Sequence, residues 1–163
     1  VRSMALIHEK LYLSTDLSRI DFNDYIHSLV SHLFVSYNID PDRIKVEIIV
    51  SSLHKEMDLN LAVPCGLIVN EMLTNCFKYA FPENRKGTIK LTYRCSWVDM
   101  GELENIIMVE DNGIGFPENF KMADAESLGM QLISTLAEQL DAKIDILPIQ
   151  GAGLSVSFVT KDE

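Results

Sequence analysis

Apolar residues at 22, 25, 26, 29, 30, 33 and 34 recur at the i, i+3, i+4, i+7 spacing of one helix face. That predicts an amphipathic helix capped by Asp21 and ending near Tyr37-Asn38, before Pro41. Met4, Ile7 and Leu11 share a face in VRSMALIHEKLYL, which has no Gly or Pro. Residues 1–13 are therefore predicted helical, and the missing N-cap suggests the cut end of a longer helix. Residues 44–50 alternate in strand fashion, and 51–59 are polar and turn-like. Asn60 is expected to cap a long helix over 61–80, with Pro64 in its first turn and Phe81-Pro82 closing it. Strands over 87–97 and 103–110 flank a hairpin turn at Asp99-Met100-Gly101. A loop over 116–126, a helix over 128–140, and strands over 144–149 and 154–160 around Gly151-Ala152-Gly153 complete the chain. The order α, α, β, α, β, β, α, β, β predicts an α+β fold. Its form is a two-layer α/β sandwich, a mixed, mostly antiparallel sheet covered on one face by helices. Strands and helices do not alternate strictly, which excludes a doubly wound dinucleotide fold.

Composition narrows the partners. The chain has 163 residues, 47% of them apolar, enough for a substantial core and too many for a disordered chain. No apolar run approaches the ~20 residues of a membrane span, so no membrane contact by this chain is expected. The net charge of −10 argues against nucleic acid, because an acidic surface repels a phosphate backbone. A phosphate ligand would need a local device, such as a helix terminus or a bound cation. Cys65, Cys76 and Cys95 are odd in number and lack CxxC spacing, which fits a reducing compartment without disulfides or structural zinc.

Three segments carry candidate chemistry. In NEMLTNCFKYAF (70–81), Glu71, Asn75 and Lys78 fall on one stripe of a helix, and Ala62, Cys65, Val69, Met72, Leu73 and Cys76 fall broadly on the other. An asparagine oxygen suits Mg²⁺, a carboxylate can orient a nucleophile or take a proton, and an ammonium can meet phosphate. A solvated polar helix face explains the same pattern. DNGIG (111–115) follows a strand; it can be a turn, or bare backbone that a ligand approaches closely, with Asp111 accepting from an exocyclic amine. Gly129, in the first turn of SLGMQL (127–132), exposes N–H groups at a positive helix end. Gly151 and Gly153 read as a hairpin turn, and the four histidines form no ligand set.

Taken together, Glu-x-x-x-Asn-x-x-Lys, then D-x-G-x-G, then Leu-Gly at a helix start resembles the ATP-binding catalytic domain of sensor histidine kinases. These belong to the superfamily of gyrase, mismatch-repair ATPases and the ninety-kilodalton heat-shock chaperones, with the Bergerat fold. RSMALIHEKLY (2–12), LSRIDFNDYI (17–26), AVPCGLIVNEMLTNCFKYAFP (62–82) and SLGMQLI (127–133) look like the subgroup with the second class of dimerisation and phosphoacceptor region. The resemblance covers about residues 40–160. It implies that Asn75 coordinates Mg²⁺ and Glu71 assists as base or polarises the nucleophile. It also implies that Lys78 and Tyr79 contact phosphates and nucleotide, and that Asp111 recognises the adenine amine. Gly113 and Gly115 would line adenine and sugar, Leu128 and Gly129 would offer backbone to phosphates, and 116–127 would form the ATP lid. Tyr79 stands where the subgroup usually has His, Cys76 where it usually has Ala, and Leu154 where Thr is common.

The implied cofactors are ATP and Mg²⁺. The implied partners are a response regulator receiver domain and the protein's own phosphoacceptor region, in a homodimer. No phosphoacceptor box occurs here and His8 is not at that position, so the chain is expected to be a fragment. Residues 1–20 would end the dimerisation hairpin, and 21–163 would form the catalytic domain of a cytoplasmic two-component kinase. A conformational ATPase in which Glu71 activates water, and a nucleotide-binding module without turnover, are the alternatives.

Overall fold

A computed structural model describes Ala5, Glu9 and residues 18–162. Of the expected helix over 1–13 only Ala5 and Glu9 are described, both helical; its stripe of Met4, Ile7 and Leu11, and His8, lie outside the described residues.

The chain forms β1 (Arg19–Asp21), α1 (Phe22–Ser36), β2 (Ile44–Ser52), β3 (Glu56–Asp58) and α2 (Leu59–Asn75), which runs on into a π-turn (Cys76–Ala80). β4 (Gly87–Asp99), β5 (Glu102–Asp111), α3 (Leu128–Gln139), β6 (Lys143–Ile146) and β7 (Gly153–Lys161) follow. Five strands form one sheet in the order β2-β4-β5-β7-β6. β2 and β4 pair in parallel, and the other three pairs are antiparallel. This is the expected mixed, mostly antiparallel sheet.

Alternation sets its two faces. On β4 and β5 the odd-numbered side chains from Ile89 to Cys95 and Leu103 to Asp111 point inward, while Lys90 and Arg94 point to water. On the inner face Ile89, Leu91, Ile107 and Val156 join one core with Tyr25, Leu29, Ile68, Leu73 and Ile133 of the helices. Full burial of each aliphatic side chain contributes about 1.5–3 kcal/mol. Asp21 caps α1 as expected, accepting from the Asp24 N–H at 3.0 Å. Asn38, at φ +50°, closes that helix, and the Ile39 N–H returns to the Phe34 carbonyl at 2.9 Å.

Three expectations are corrected. Residues 56–58 are not turn: Ile20 and Met57 pair in a two-stranded β1–β3 ladder, both buried, and the Leu59 N–H bonds to the Ser18 carbonyl at 2.8 Å. The cap of α2 is Asp58, whose carboxylate accepts from the Asn60 N–H at 2.8 Å, so Asn60 lies inside the helix. Pro64 consequently sits in the second turn, where its missing N–H leaves the Asn60 carbonyl without its helical donor. The helix also does not continue regularly to Ala80 but widens into the π-turn. Among the described residues no helix is long and apolar enough to cross a membrane. The three cysteines are free and buried.

Candidate functional site

β5 delivers Asp111 to the end of the sheet, beside the start of β7. The Asp111 N–H donates to the Ala152 carbonyl at 2.8 Å. In return Oδ1 of Asp111 accepts from the N–H groups of Gly113 at 2.9 Å and Ala152 at 3.2 Å. Asn112 acts structurally: its Oδ1 accepts from the Thr88 N–H at 2.8 Å and pins the start of β4. The Ile114 N–H then bonds to the Ala80 carbonyl at 3.0 Å, seating DNGIG on the end of the π-turn. A Cβ at Gly113 would overlap that carbonyl oxygen, so this glycine is needed for backbone packing. Gly115, at φ +81°, packs against the Gly151 carbonyl.

Above this seat is a cavity of about 480 Å³, within the ordinary range for small-molecule sites. Its apolar walls include Met72, Ile114, Phe116, Phe120, Met130 and Leu154. Asn75, Cys76, Tyr79, Asp111 and Ser127 supply its few polar side chains. Asp111 is 5% exposed, and among the described residues no cation pairs with it. Phe116 and Phe120 stack in parallel, with centroids 4.5 Å apart, in the segment expected to form the lid. On the far side Ser127 caps α3, accepting from the Met130 N–H at 3.3 Å. A Cβ on Gly129 would stand 2.6 Å from Glu71 Oε2 and 3.8 Å from Asn75 Oδ1, so both side chains reach the start of α3. The Asn75 amide donates to Met130 Sδ at 3.2 Å.

The structure therefore gathers Asn75, Tyr79, Asp111 and Gly115 around one cavity, with Glu71 and Gly129 beside Asn75. Lys78, Leu128 and Gly113 do not line it. Lys78 lies over the Tyr37 ring, 5.9 Å from its centroid, and Leu128 is 84% exposed. The cavity is faced by a neighbouring stripe of the helix: Met72, Asn75, Cys76 and Tyr79 stand at i, i+3, i+4 and i+7, while Lys78 turns toward Tyr37. Met72 and Cys76, expected on the opposite face, are therefore cavity walls.

Sequence reasoning also missed Gly151 and Ala152, which it read as part of a hairpin turn. Gly151 sits at φ +94°, and any Cβ there would overlap the Asp111 carbonyl oxygen. Gly-x-Gly between two strands was the available signal. A larger depression of about 940 Å³ lies at the other end of the sheet, near Arg19, Phe22, Tyr93 and Asn105. None of the expected site residues lines it; its lining includes the Lys55–Asp21 ion pair and the hydrogen-bonded His54 and Asp162.

This arrangement, a strand-end aspartate facing an Asn-bearing helix across an apolar cavity, has known counterparts. The family described as histidine kinase-, DNA gyrase B- and HSP90-like ATPase matches residues 61–163. The chain belongs to that family. Residues 1–37 match a second family, described as histidine kinase. Sensor histidine kinase PdtaS of Mycobacterium tuberculosis is 27% identical over 161 residues, covering 96% of this chain and 30% of its own length. The chain thus spans less than a third of that relative. Among solved structures, the blue-light activated histidine kinase of Erythrobacter litoralis shares the fold with a TM-score of 0.75 at 24% identity, covering 96% of this chain and 51% of that one. Full-length ShkA in complex with AMPPNP aligns with a TM-score of 0.53 at 20% identity, over 83% of this chain and 29% of that one. The ATPase-family match covers most of the chain, and the proteins the chain is similar to are sensor histidine kinases.

Proposed function

We propose that the domain binds Mg-ATP in the cavity and donates the γ-phosphoryl group to a histidine of the protein's dimerisation region. The phosphoryl group then passes to an aspartate of a response regulator receiver domain, which completes a two-component relay. The observation that carries the reading is Asp111, a carboxylate with no paired cation among the described residues, fixed by backbone donors at the wall of a mostly apolar cavity. Such a group suits a ligand that is flat and apolar on its faces and carries an amine at its edge, as adenine does. In ShkA, whose fold is similar, the ligand is an adenine nucleotide analogue.

Each residue then has a task. Asp111 accepts from the exocyclic amine, and Gly115 lets the base approach the backbone. The stacked pair Phe116–Phe120 walls off water. Asn75 Oδ1 and the Glu71 carboxylate offer oxygen ligands beside the positive end of α3, where negative phosphates gain from the helix dipole. Among the described residues no three His, Cys, Asp or Glu converge. The donors therefore suit a cation held partly by nucleotide phosphates and water, as Mg²⁺ is. When bound, Mg²⁺ would neutralise charge on the transferred phosphoryl group. Glu71 is also placed to orient the attacking imidazole and hold its proton. Lys78 receives no phosphate contact in this arrangement, because it faces Tyr37.

Calorimetry with a non-hydrolysable ATP analogue, with and without Mg²⁺, tests the metal assignment. Chelation is expected to weaken binding by the wild type. Asn75→Ala should bind like the chelated wild type, with most of the Mg²⁺ response gone. An Asn75→Ala domain that responds to Mg²⁺ as the wild type does would place the metal elsewhere.

A further inference from the structure

Cys76 is a polar group of the cavity to which this scheme gives no task. Cys76 stands on the π-turn, and its Sγ lies 3.4 Å from Asp111 Oδ2. Oδ1 of the same carboxylate already holds two backbone N–H groups. The thiol is therefore the third donor on Asp111, and it comes from the helix rather than from the loop or β7. Against a carboxylate oxygen, which can only accept, the thiol serves as the donor.

We infer that Cys76 is a positioning residue that fixes the plane of the Asp111 carboxylate and sharpens selection of purines bearing an exocyclic amine over purines bearing a carbonyl there. The two backbone donors anchor one oxygen but leave the group free to rock about it. A donor on Oδ2 stops that motion, and Oδ2 retains a second lone pair for a ligand amine. A ligand carbonyl meeting the same oxygen finds two acceptors facing each other, with neither satisfied. The inference rests on the reading of Asp111 as the base-recognising group.

The test compares the affinities of ATP and inosine triphosphate for the wild type, Cys76→Ala, Cys76→Ser and Asp111→Asn, each checked by its melting curve. A hydrogen bond from a weak thiol donor that orients a ligand contact corresponds to about threefold to tenfold in affinity. The ratio of ATP to inosine triphosphate affinity is expected to fall by about that factor in Cys76→Ala, through weaker ATP binding. Cys76→Ser, which keeps a donor, should restore most of the ratio. If Cys76→Ala weakens both nucleotides equally, or leaves the ratio unchanged while Asp111→Asn abolishes it, Cys76 only fills space and the inference fails. If Asp111→Asn leaves the wild-type ratio intact, or the wild type does not discriminate at all, the base-recognition reading itself fails.

Discussion

Gly151→Ala is expected to unfold the nucleotide site and destabilise the domain by about 2–6 kcal/mol. Two independent costs add. The residue sits at φ +94°, where a non-glycine residue is strained by roughly 1–3 kcal/mol. The new Cβ also overlaps the Asp111 carbonyl oxygen and stands 3.1 Å from the Asn112 Cα. Both are backbone atoms held by the β5–β7 ladder and the Asn112–Thr88 bonds, so they cannot swing aside as a side chain would. Overpacking of this kind typically adds about 1–3 kcal/mol. For a domain of this size the melting temperature should fall by about 4–24 °C, with nucleotide binding lost. Gly101→Ala is the internal control. It too has a positive φ, +76°, but nothing lies within 4 Å of its added Cβ. It should show the strain alone, about 1 kcal/mol, and leave binding intact. Equal melting shifts in the two variants would show that the contact with Asp111 does not constrain the site.

Asp111→Asn should leave the fold largely in place and lower ATP affinity by about tenfold to a hundredfold. The asparagine oxygen can still accept from Gly113 and Ala152, which preserves the loop. Its amide nitrogen then replaces Oδ2, turning a donor toward the Cys76 thiol and toward the incoming amine. A hydrogen bond to a charged acceptor contributes about 1.5–3 kcal/mol, which sets the expected loss. Calorimetry alongside a melting curve separates lost recognition from lost structure. Unchanged affinity in a folded variant would remove adenine recognition from Asp111.

The helices and long strands were legible because each repeats its pattern often enough to be read. Seven apolar positions define α1, and Asp21 stands where the cap must be. DNGIG and the Glu71–Asn75 pair were legible as candidate chemistry through their order and spacing, and the fold sets Asp111, Gly115 and Asn75 around one cavity with Glu71 beside Asn75. The β1–β3 ladder was not, because three residues per strand display no period and their pairing spans the whole of α1. The π-turn was equally hidden: nothing in CFKYA distinguishes it from the α-helix it continues. Asp58 and Asn60 are both good caps, and only the choice of Asp58 reveals that Pro64 lies deeper in the helix. Gly151 looked like a turn residue because its constraint comes from Asp111, forty positions away in sequence.

The most direct test of the central claim supplies the phosphoryl acceptor. The domain is incubated with Mg²⁺, ATP labelled at its γ-phosphorus, and a separately expressed dimerisation domain that carries the acceptor histidine. Acid-labile, base-stable label should build up on the supplied domain, vanish on chelation of Mg²⁺, and fall sharply with Asp111→Asn. Release of labelled phosphate to water with an unlabelled partner, or saturable ATP binding without any turnover, would contradict the assignment of this domain as a phosphoryl donor to histidine.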